Sequence, residues 1–307
     1  MFTFRYHLVS LAAVFVALTV GILLGAAISG KLGDAEDALT KDRIDSLNEQ
    51  LAQERVRSAN AERSNEATRE VLEDAYPALM DSRLEGQAFA VLFLGPVDGD
   101  VRSAVERTLA DAGAGSPVRL IALDTPIDRL ALEEALTADE ELAQFAEDDG
   151  DFGELGEELG RELVEGEGTP LWSALSAQLI EERTGSTSLE ADGVVVARSW
   201  AGPSDGEDSA DDLEVQATET LFDGLLGGVL GSDVPAVGVE TLAAEVSAIP
   251  DYARAGASSV DDVDATVGRL ALALLLAGGR PGHYGVKETA TDGVVPPVEP
   301  VVTTTSE

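Results

Sequence analysis

An uncharged run of 22 residues close to the N-terminus limits what this chain of 307 residues can fold into. The run extends from Leu8 to Ser29. As a helix it would be about 33 Å long, which matches the roughly 30 Å thickness of a bilayer core. Surface helices of globular domains are usually apolar on one face only. We therefore expect residues 1–29 to form a short N-terminus and a single transmembrane helix.

Two alternatives exist for this run, a cleaved signal peptide and a retained anchor. Signal peptides have an apolar core of about 7–15 residues and an A-x-A-like cleavage site. The run is longer than that core and ends without a clean A-x-A, so a retained anchor is favoured. Arg5 precedes the run, whereas Lys31 and then Asp34 and Glu36 follow it. Because positive charge stays on the cytoplasmic side, we predict a cytoplasmic N-terminus and an extracytoplasmic body in the cell envelope.

The body that follows the run is strongly acidic. From Gly30 onward there are 19 Lys and Arg residues against 58 Asp and Glu residues, a formal charge of −39. Such a charge repels the phosphates of nucleic acids, so we expect no nucleic-acid partner. The chain contains no cysteine, which excludes disulfides and thiol chemistry.

A helical stalk is predicted for residues 30–82. Residues 34–75 contain no glycine or proline and are rich in good helix formers. Tyr76 and Pro77 indicate where this helix ends, because the residue before a proline is disfavoured in the helical conformation.

The stalk carries a short heptad pattern. Ile44, Leu47 and Leu51 occupy successive a and d positions, and the same frame then passes through mostly polar residues before it reaches Leu72. A stable coiled coil needs three or four clean heptads. These four residues therefore predict a weak coiled-coil seam for a protein partner or a second copy. A solvated spacer is the alternative.

Strands and helices alternate in residues 83–288, the predicted extracytoplasmic domain. Continuous apolar runs predict strands at 88–94, 118–123, 194–197 and 236–239, and residues 127–183 are expected to be helical. Apolar strands of this kind are typical of parallel sheets covered on both faces. We predict an α/β fold, a Rossmann- or flavodoxin-like parallel sheet with helices on both faces. Residues 289–307 are rich in Pro, Val and Thr and are expected to form a disordered tail.

The turn after the first strand lies where α/β folds bind ligands. Residues 95–99 lack the glycine and lysine patterns of phosphate-binding loops. Asp98 and Asp100 would repel a phosphate and favour a capped structural turn, so no nucleotide is expected. The acidic segment 147–151 does not fit the register of a calcium loop and favours a solvated surface. Without a catalytic motif, we expect a protein that is not an enzyme, with no evident cofactor.

Four segments carry a resemblance to a known family. They are MFTFRYHLVS at 1–10, GILLG at 21–25, SVDDVD at 259–264 and GHYGVK at 282–287. In these segments the chain resembles the actinobacterial copper transporter family of the MctB type, and the resemblance covers the chain from end to end. It implies a role in copper efflux or homeostasis, and the family is described as outer-membrane proteins. Relatives have also been linked to cell separation.

Copper enters these expectations through the resemblance alone. Copper(I) prefers thiolate and thioether ligands and copper(II) prefers imidazole, whereas the chain has no Cys, two His and two Met residues. Any metal ligands are therefore unknown. The second hypothesis is a bitopic envelope scaffold that binds a cell-separation or cell-wall-hydrolase partner through its stalk and α/β domain.

Polar residues beside the last predicted helix form the candidate functional patch: Asp261, Asp262, Asp264, His283 and Tyr284. A structural role is the alternative. In that interpretation Asp264 caps the helix that begins near Ala265, and Gly282 and Gly285 shape a turn around His283.

Overall fold

The computed structural model describes residues 3–146, 151–200, 202 and 212–298. Its contacts divide the chain into two compact units, Met1–Glu70 and Val71–Glu307. The helices in the described residues are α1 (Thr3–Met80), α2 (Gly99–Asp111), α3 (Arg129–Ala138), α4 (Gly153–Glu165), α5 (Pro170–Ala174), α6 (Ser176–Leu179), α7 (Asp212–Leu230), α8 (Ile249–Ala255) and α9 (Thr266–Leu276). The strands are β1 (Phe89–Leu94), β2 (Arg119–Leu123), β3 (Ile180–Gly185), β4 (Gly193–Arg198), β5 (Ala236–Val239), β6 (Ser258–Val260) and β7 (His283–Tyr284).

The first unit consists of helix α1 up to Glu70. All large apolar side chains described between Leu11 and Leu24 are more than half exposed, the lowest value being 53% at Val20. None of the helices in the described part of the chain is both long and apolar enough to cross a membrane.

Helix α1 continues through Pro77 to Met80, so the predicted helix end at Tyr76 and Pro77 is wrong. A proline inside a helix removes one backbone hydrogen bond. Tertiary packing compensates, since Tyr76, Met80 and the following Leu84 are buried in one apolar cluster. The Tyr76 hydroxyl also donates to Asp111 Oδ2 at 3.1 Å. The last turn is therefore stabilised by the domain against which it packs.

A sheet of seven strands, counted over the described residues, forms the centre of the second unit, in the order β3-β2-β1-β4-β5-β6-β7. All neighbouring strands are parallel except β2 and β3, which are antiparallel. Val91 of β1 pairs with Leu120 of β2 and with Val195 of β4. The predicted α/β fold with a mostly parallel sheet is confirmed.

Each face of the sheet carries its own apolar cluster. Ala90, Leu92 and Leu94 of β1 contribute to a cluster with residues of α3, α4, α7 and α8. The intervening Phe89 and Phe93 contribute to the other cluster, which includes α2, α9 and the last turn of α1. Successive residues of a strand point to opposite faces, so a continuous apolar run covers both.

Strand β3 was not predicted, because its sequence IEERTG lacks an apolar pattern. It lies at the edge of the sheet with partly exposed side chains, where charged residues protect an edge against pairing with other chains. The expectation of helix throughout 127–183 is therefore wrong at its end. Helix α8 and the two-residue strand β7 were also not predicted.

The chain beyond residue 289 is still held by the domain. Asp292 N–H donates to His283 O at 3.1 Å, Gly285 N–H donates to Gly293 O, and Val295 packs against an apolar cluster. Asp292, Gly293 and Val295, which lie in the predicted tail, thus contact the domain. Residues 299–307 lie outside the described residues.

Helices α4 and α7 meet at glycines. A Cβ atom at Gly224 would overlap Gly153 O, and one at Gly228 would overlap Glu157 O. On the α4 side, a Cβ at Gly156 would lie 2.8 Å from Leu225 N. The two backbones are in direct contact, which only glycine permits at these positions.

Candidate functional site

A cleft of about 390 Å³ opens at the carboxyl edge of the sheet, where β1, β4 and β5 end. The chain leaves β1 toward β2 on one side, whereas β4 lies on the other side. The cleft therefore lies at the topological switch point, where open α/β sheets bind ligands. Its lining consists of Asp98, Arg198, Ser199, Trp200, Ala244, Glu245, Val246, Ser247, Ala248 and Asp251.

The turn from β1 into α2 forms one wall of the cleft. Asp98 is the N-cap of α2, and its Oδ1 accepts from Asp100 N–H at 2.9 Å and Val101 N–H at 3.1 Å. The predicted capped turn is confirmed. Gly95 has a φ of +119°, and a Cβ there would lie 2.8 Å from Trp200 N. A glycine at this position lets the segments that follow β1 and β4 pack closely.

Arg198, the last residue of β4, organises the opposite wall. Its Nη1 donates to Asp251 Oδ2 at 3.0 Å, its Nη2 donates to Glu219, and its Nε donates to Trp200 O at 3.1 Å. The guanidinium also lies 5.6 Å from the centre of the Phe222 ring. With 14% of its side chain exposed, Arg198 ties α7 and α8 to the end of β4.

Glu240 stabilises one part of the cleft lining through buried hydrogen bonds. This carboxylate follows β5 and is 4% exposed. It accepts from Ser247 Oγ at 3.0 Å, from Ala248 N–H at 2.8 Å and from Lys287 Nζ at 2.8 Å. Lys287 Nζ also donates to Thr241 O at 2.8 Å. Glu240 and Lys287 therefore fix the segment 241–248 that lines the cleft.

Glu240, Lys287 and Arg198 were not among the site residues predicted from the sequence. The available signal was positional. Glu240 and Arg198 stand at the carboxyl ends of strands, the edge at which parallel sheets bind ligands.

The structure brings four residues of the predicted patch together at β6 and β7. Strand pairing sets Ser259 opposite His283 and Val260 opposite Tyr284, and Asp261 and Asp262 follow directly after β6. His283 Nδ1 lies 2.9 Å from Ser259 Oγ. The buried Tyr284 donates its hydroxyl to Arg280 O at 3.1 Å.

Asp261 fixes the segment that follows β7. It is 1% exposed, and its two oxygens accept from Val286 N–H at 2.9 Å and Lys287 N–H at 3.1 Å. Gly285 has a φ of +142°, and a Cβ there would overlap the Asp261 carboxylate. This contact explains the glycine after His283 and Tyr284.

Asp264 does not cap α9, so that prediction is wrong. The N-cap of α9 is Ala265, and it forms no side-chain cap. Asp264 Oδ1 instead accepts from Leu242 N–H at 2.9 Å, because the chain turns here toward the segment that follows β5.

Asp262 is the least compensated carboxylate of the patch. It is 1% exposed, and neither of its oxygens has a hydrogen-bond partner among the described residues. Burial, together with the smaller effect of the charges of Asp261 and Asp264, raises the pKa of Asp262 to about 7. A Cβ at Gly268 would lie 2.6 Å from Asp262 Oδ1. The carboxyl is thus enclosed against the first turn of α9.

None of the five patch residues lines the cleft. Two contacts connect them to its lining. The N–H of Lys287 donates to Asp261 while its ammonium donates to Glu240, and Asp264 accepts from Leu242 N–H. The contacts of the patch are those of structural support. A function of the patch itself stays a prediction.

The residues of the predicted seam differ in their surroundings. Leu47 and Leu51 are 51% and 54% exposed on α1, so both are available to a partner. Leu72 instead packs against the apolar cluster that contains Phe93, so it does not extend the seam. The side chain of Ile44 lies outside the described residues.

The residues that suit copper are few. Met80 is fully buried in an apolar cluster, and His283 faces the hydroxyl of Ser259. Within residues 3–298, apart from the stretches left undescribed, no group of three or more His, Cys, Asp and Glu side chains is placed to hold a metal ion. The described side chains therefore do not fit copper as a ligand set.

These features define an α/β protein with a polar cleft at the switch point of its sheet. The chain belongs to the MctB family, whose model is described as a copper transport outer membrane protein and matches residues 1–296. The resemblance seen in the sequence motifs is thereby confirmed. No curated protein matches the chain.

Proposed function

We propose that this member of the copper transport family acts in copper efflux or homeostasis as a membrane-anchored binding protein of the cell envelope. The family assignment supports the connection to copper and to the envelope. The cleft at the switch point is the observation that carries the proposal, because it is the position at which open α/β sheets bind ligands.

The proposed anchor is the uncharged run of residues 8–29, with the N-terminus in the cytoplasm. The exposed apolar side chains between Leu11 and Leu24 support it, since such a surface needs lipid or protein to cover it. Arg5 on one side and the acidic residues on the other side support the orientation.

The absence of cysteine from the chain makes this topology directly testable. Thr3→Cys and Ser64→Cys each create one thiol, the first before the proposed span and the second on the stalk that follows it. A membrane-impermeant maleimide should label Ser64→Cys in intact spheroplasts and label Thr3→Cys only after permeabilisation. Equal labelling of both variants before permeabilisation would contradict the proposed orientation.

In this proposal the α/β domain supports copper handling through a bound partner and performs no catalysis itself. The ligand types in the chain favour an indirect role in copper handling. The soft ligands that copper prefers are scarce, and Met80 is enclosed in an apolar cluster. Equilibrium dialysis of the purified protein against copper tests this point. Stoichiometric copper retained by the domain would contradict it.

A bitopic scaffold for cell separation is the second candidate function. The exposed Leu47 and Leu51 on α1 favour it, because they offer an apolar surface to a partner such as a regulator of a cell-wall hydrolase. In this alternative the stalk and the α/β domain bind the partner together.

Deletion of the gene in its native host separates the two candidates. Copper sensitivity with normal septation supports the copper role and contradicts the scaffold. Chained cells with normal copper tolerance support the scaffold and contradict the copper role. Complementation with the wild-type gene is the control for either phenotype.

A further inference from the structure

We infer that the cleft binds the ammonium or guanidinium group of a lysine or arginine side chain presented by a partner protein. The inference rests on the proposed function, since it takes the cleft to be the binding site of the domain. It names the chemistry of the partner that this site accepts.

The charges of the lining favour a cation. Asp98, Glu245 and Asp251 bring three carboxylates to the cleft, against one guanidinium from Arg198. Glu219, which accepts a hydrogen bond from Arg198, adds a fourth acidic group next to the lining. The net charge of −38 over the whole chain acts in the same direction, because it attracts cationic partners and repels anions.

An anion would find its usual donors already engaged. Arg198 donates to Asp251, Glu219 and the Trp200 carbonyl. The first N–H groups of α2 donate to the carboxylate of Asp98. Two carboxylates therefore compensate the charge of the guanidinium and one caps the helix N-terminus, which disfavours a phosphate or a carboxylate here.

The shape and the apolar part of the lining favour an organic cation over a metal ion. Trp200, Ala244 and Val246 lie in the same cleft as the carboxylates, and Val246 is 66% exposed. Lysine and arginine combine a charged head with an apolar stem, so they match a surface that is acidic and apolar at once. A volume of about 390 Å³ holds such a side chain with adjacent backbone and far exceeds a bare ion.

The two tryptophans of the chain allow a direct test on the full-length protein. Trp200 lines the cleft, whereas Trp172 is fully buried, so 5-fluorotryptophan labelling gives one reporter and one internal reference in ¹⁹F NMR spectra. The probes are blocked tripeptides with a central arginine or lysine between glycines. The matched control peptide carries a central glutamate.

We expect the basic peptides to shift the Trp200 resonance with saturation and a dissociation constant of about 1 mM, since a single side chain fills the site. The Trp172 resonance should not move. Raising the salt concentration should weaken binding, because the contact is between charges. The peptide with glutamate should cause no saturable shift.

Glu245→Gln tests the role of the lining. Glu245 is exposed and makes no hydrogen bond among the described residues, so its removal should not disturb the fold. We expect binding to weaken about fivefold, the value of one exposed ion pair. Glu165→Gln, an exposed position on α4 outside the lining, should bind like the wild type.

Several outcomes would overturn the inference. They are no saturable shift with either basic peptide, equal binding by Glu245→Gln and the wild type, or tighter binding of the peptide with glutamate. Free agmatine binding while the blocked peptides fail would reject a protein partner in favour of a small amine. All these results are independent of the copper phenotype of the deletion strain, so either proposal can fail while the other stands.

Discussion

Two groups of carboxylates lie at the carboxyl edge of the same sheet, and they differ in what they face. Asp98 and Glu245 line an open cleft at the ends of β1 and beyond β5. Asp261 and Asp262 follow β6 and are each 1% exposed. Residues of the same type can therefore have different roles, depending on whether they are buried or line an open cleft. Asp261 and Asp262 are enclosed by the domain, whereas Glu245 is exposed in the cleft and Asp98 there caps α2 with one of its two oxygens.

The largest expected effect comes from Asp262. An acid whose pKa is higher in the folded protein binds its proton more tightly there, so the unfolded state releases the proton first as the pH rises. With a pKa of about 7 when folded against 3.8 as the reference, stability falls between about pH 4 and pH 7 and is then constant. The loss from this one group is at most about 4 kcal/mol by pH 8, and screening by solvent makes it smaller.

Asp262→Asn removes this titration, because an amide stays neutral. Urea denaturation of the full-length protein in detergent should show the variant more stable than the wild type by several kcal/mol at pH 8, about 4 kcal/mol at most. At pH 4 the two proteins should be nearly equal. A variant less stable than the wild type at pH 8 would mean that Asp262 has a favourable partner when charged.

Asp261→Asn should destabilise the protein by about 3 kcal/mol, because one of two accepting oxygens becomes a donor that faces a backbone N–H. The matched control is Asp264→Asn, since an amide oxygen can still accept from Leu242 N–H. Denaturation midpoints with unchanged slopes measure both changes. A control as damaging as Asp261→Asn would show that charge, rather than hydrogen-bond geometry, decides stability at this edge.

Arg198→Met should cost about 2 kcal/mol, because it leaves Glu219 and Asp251 without their shared partner in a mostly buried place. Arg254→Met removes a second partner of Asp251 at a side chain that is 71% exposed, so its effect should stay below about 0.5 kcal/mol. Thermal denaturation compares the two. Equal losses would contradict the view that Arg198 holds the cleft wall.

Glu245→Gln should have the smallest effect, within about 0.5 kcal/mol of the wild type at both pH 5 and pH 8. The same denaturation series provides this value. A loss close to that of Asp261→Asn would remove the distinction between the open and the buried carboxylates.

The sequence predicts the strands with continuous apolar runs, and β1, β2, β4 and β5 lie where expected. It does not predict β3, which is rich in charge, or β7, which has two residues. Both strands form only because a neighbouring strand supplies their hydrogen bonds. The helix end at Pro77 was wrong for a related reason. Proline disfavours a helix locally, but the burial of Tyr76 and Met80 against residues distant in sequence stabilises the last helical turn.

The candidate site was harder to predict than the fold. Asp261 and Asp262 of the predicted patch follow β6, and their burial could not be predicted from the sequence. The cleft combines Asp98, Arg198 and Glu245, which no spacing relates to one another. The role of Arg198 depends on its contact with Asp251, which lies 53 residues further along the chain.

The glycines between α4 and α7 affect how genetic data on this family should be interpreted. Gly156, Gly160, Gly224 and Gly228 accept no larger residue without pushing two helix backbones apart. Under the proposed copper role, a library screened for copper tolerance will therefore lose variants at all four codons, although none of these residues lies in the cleft. Measuring protein abundance alongside growth separates such folding positions from those that meet a partner.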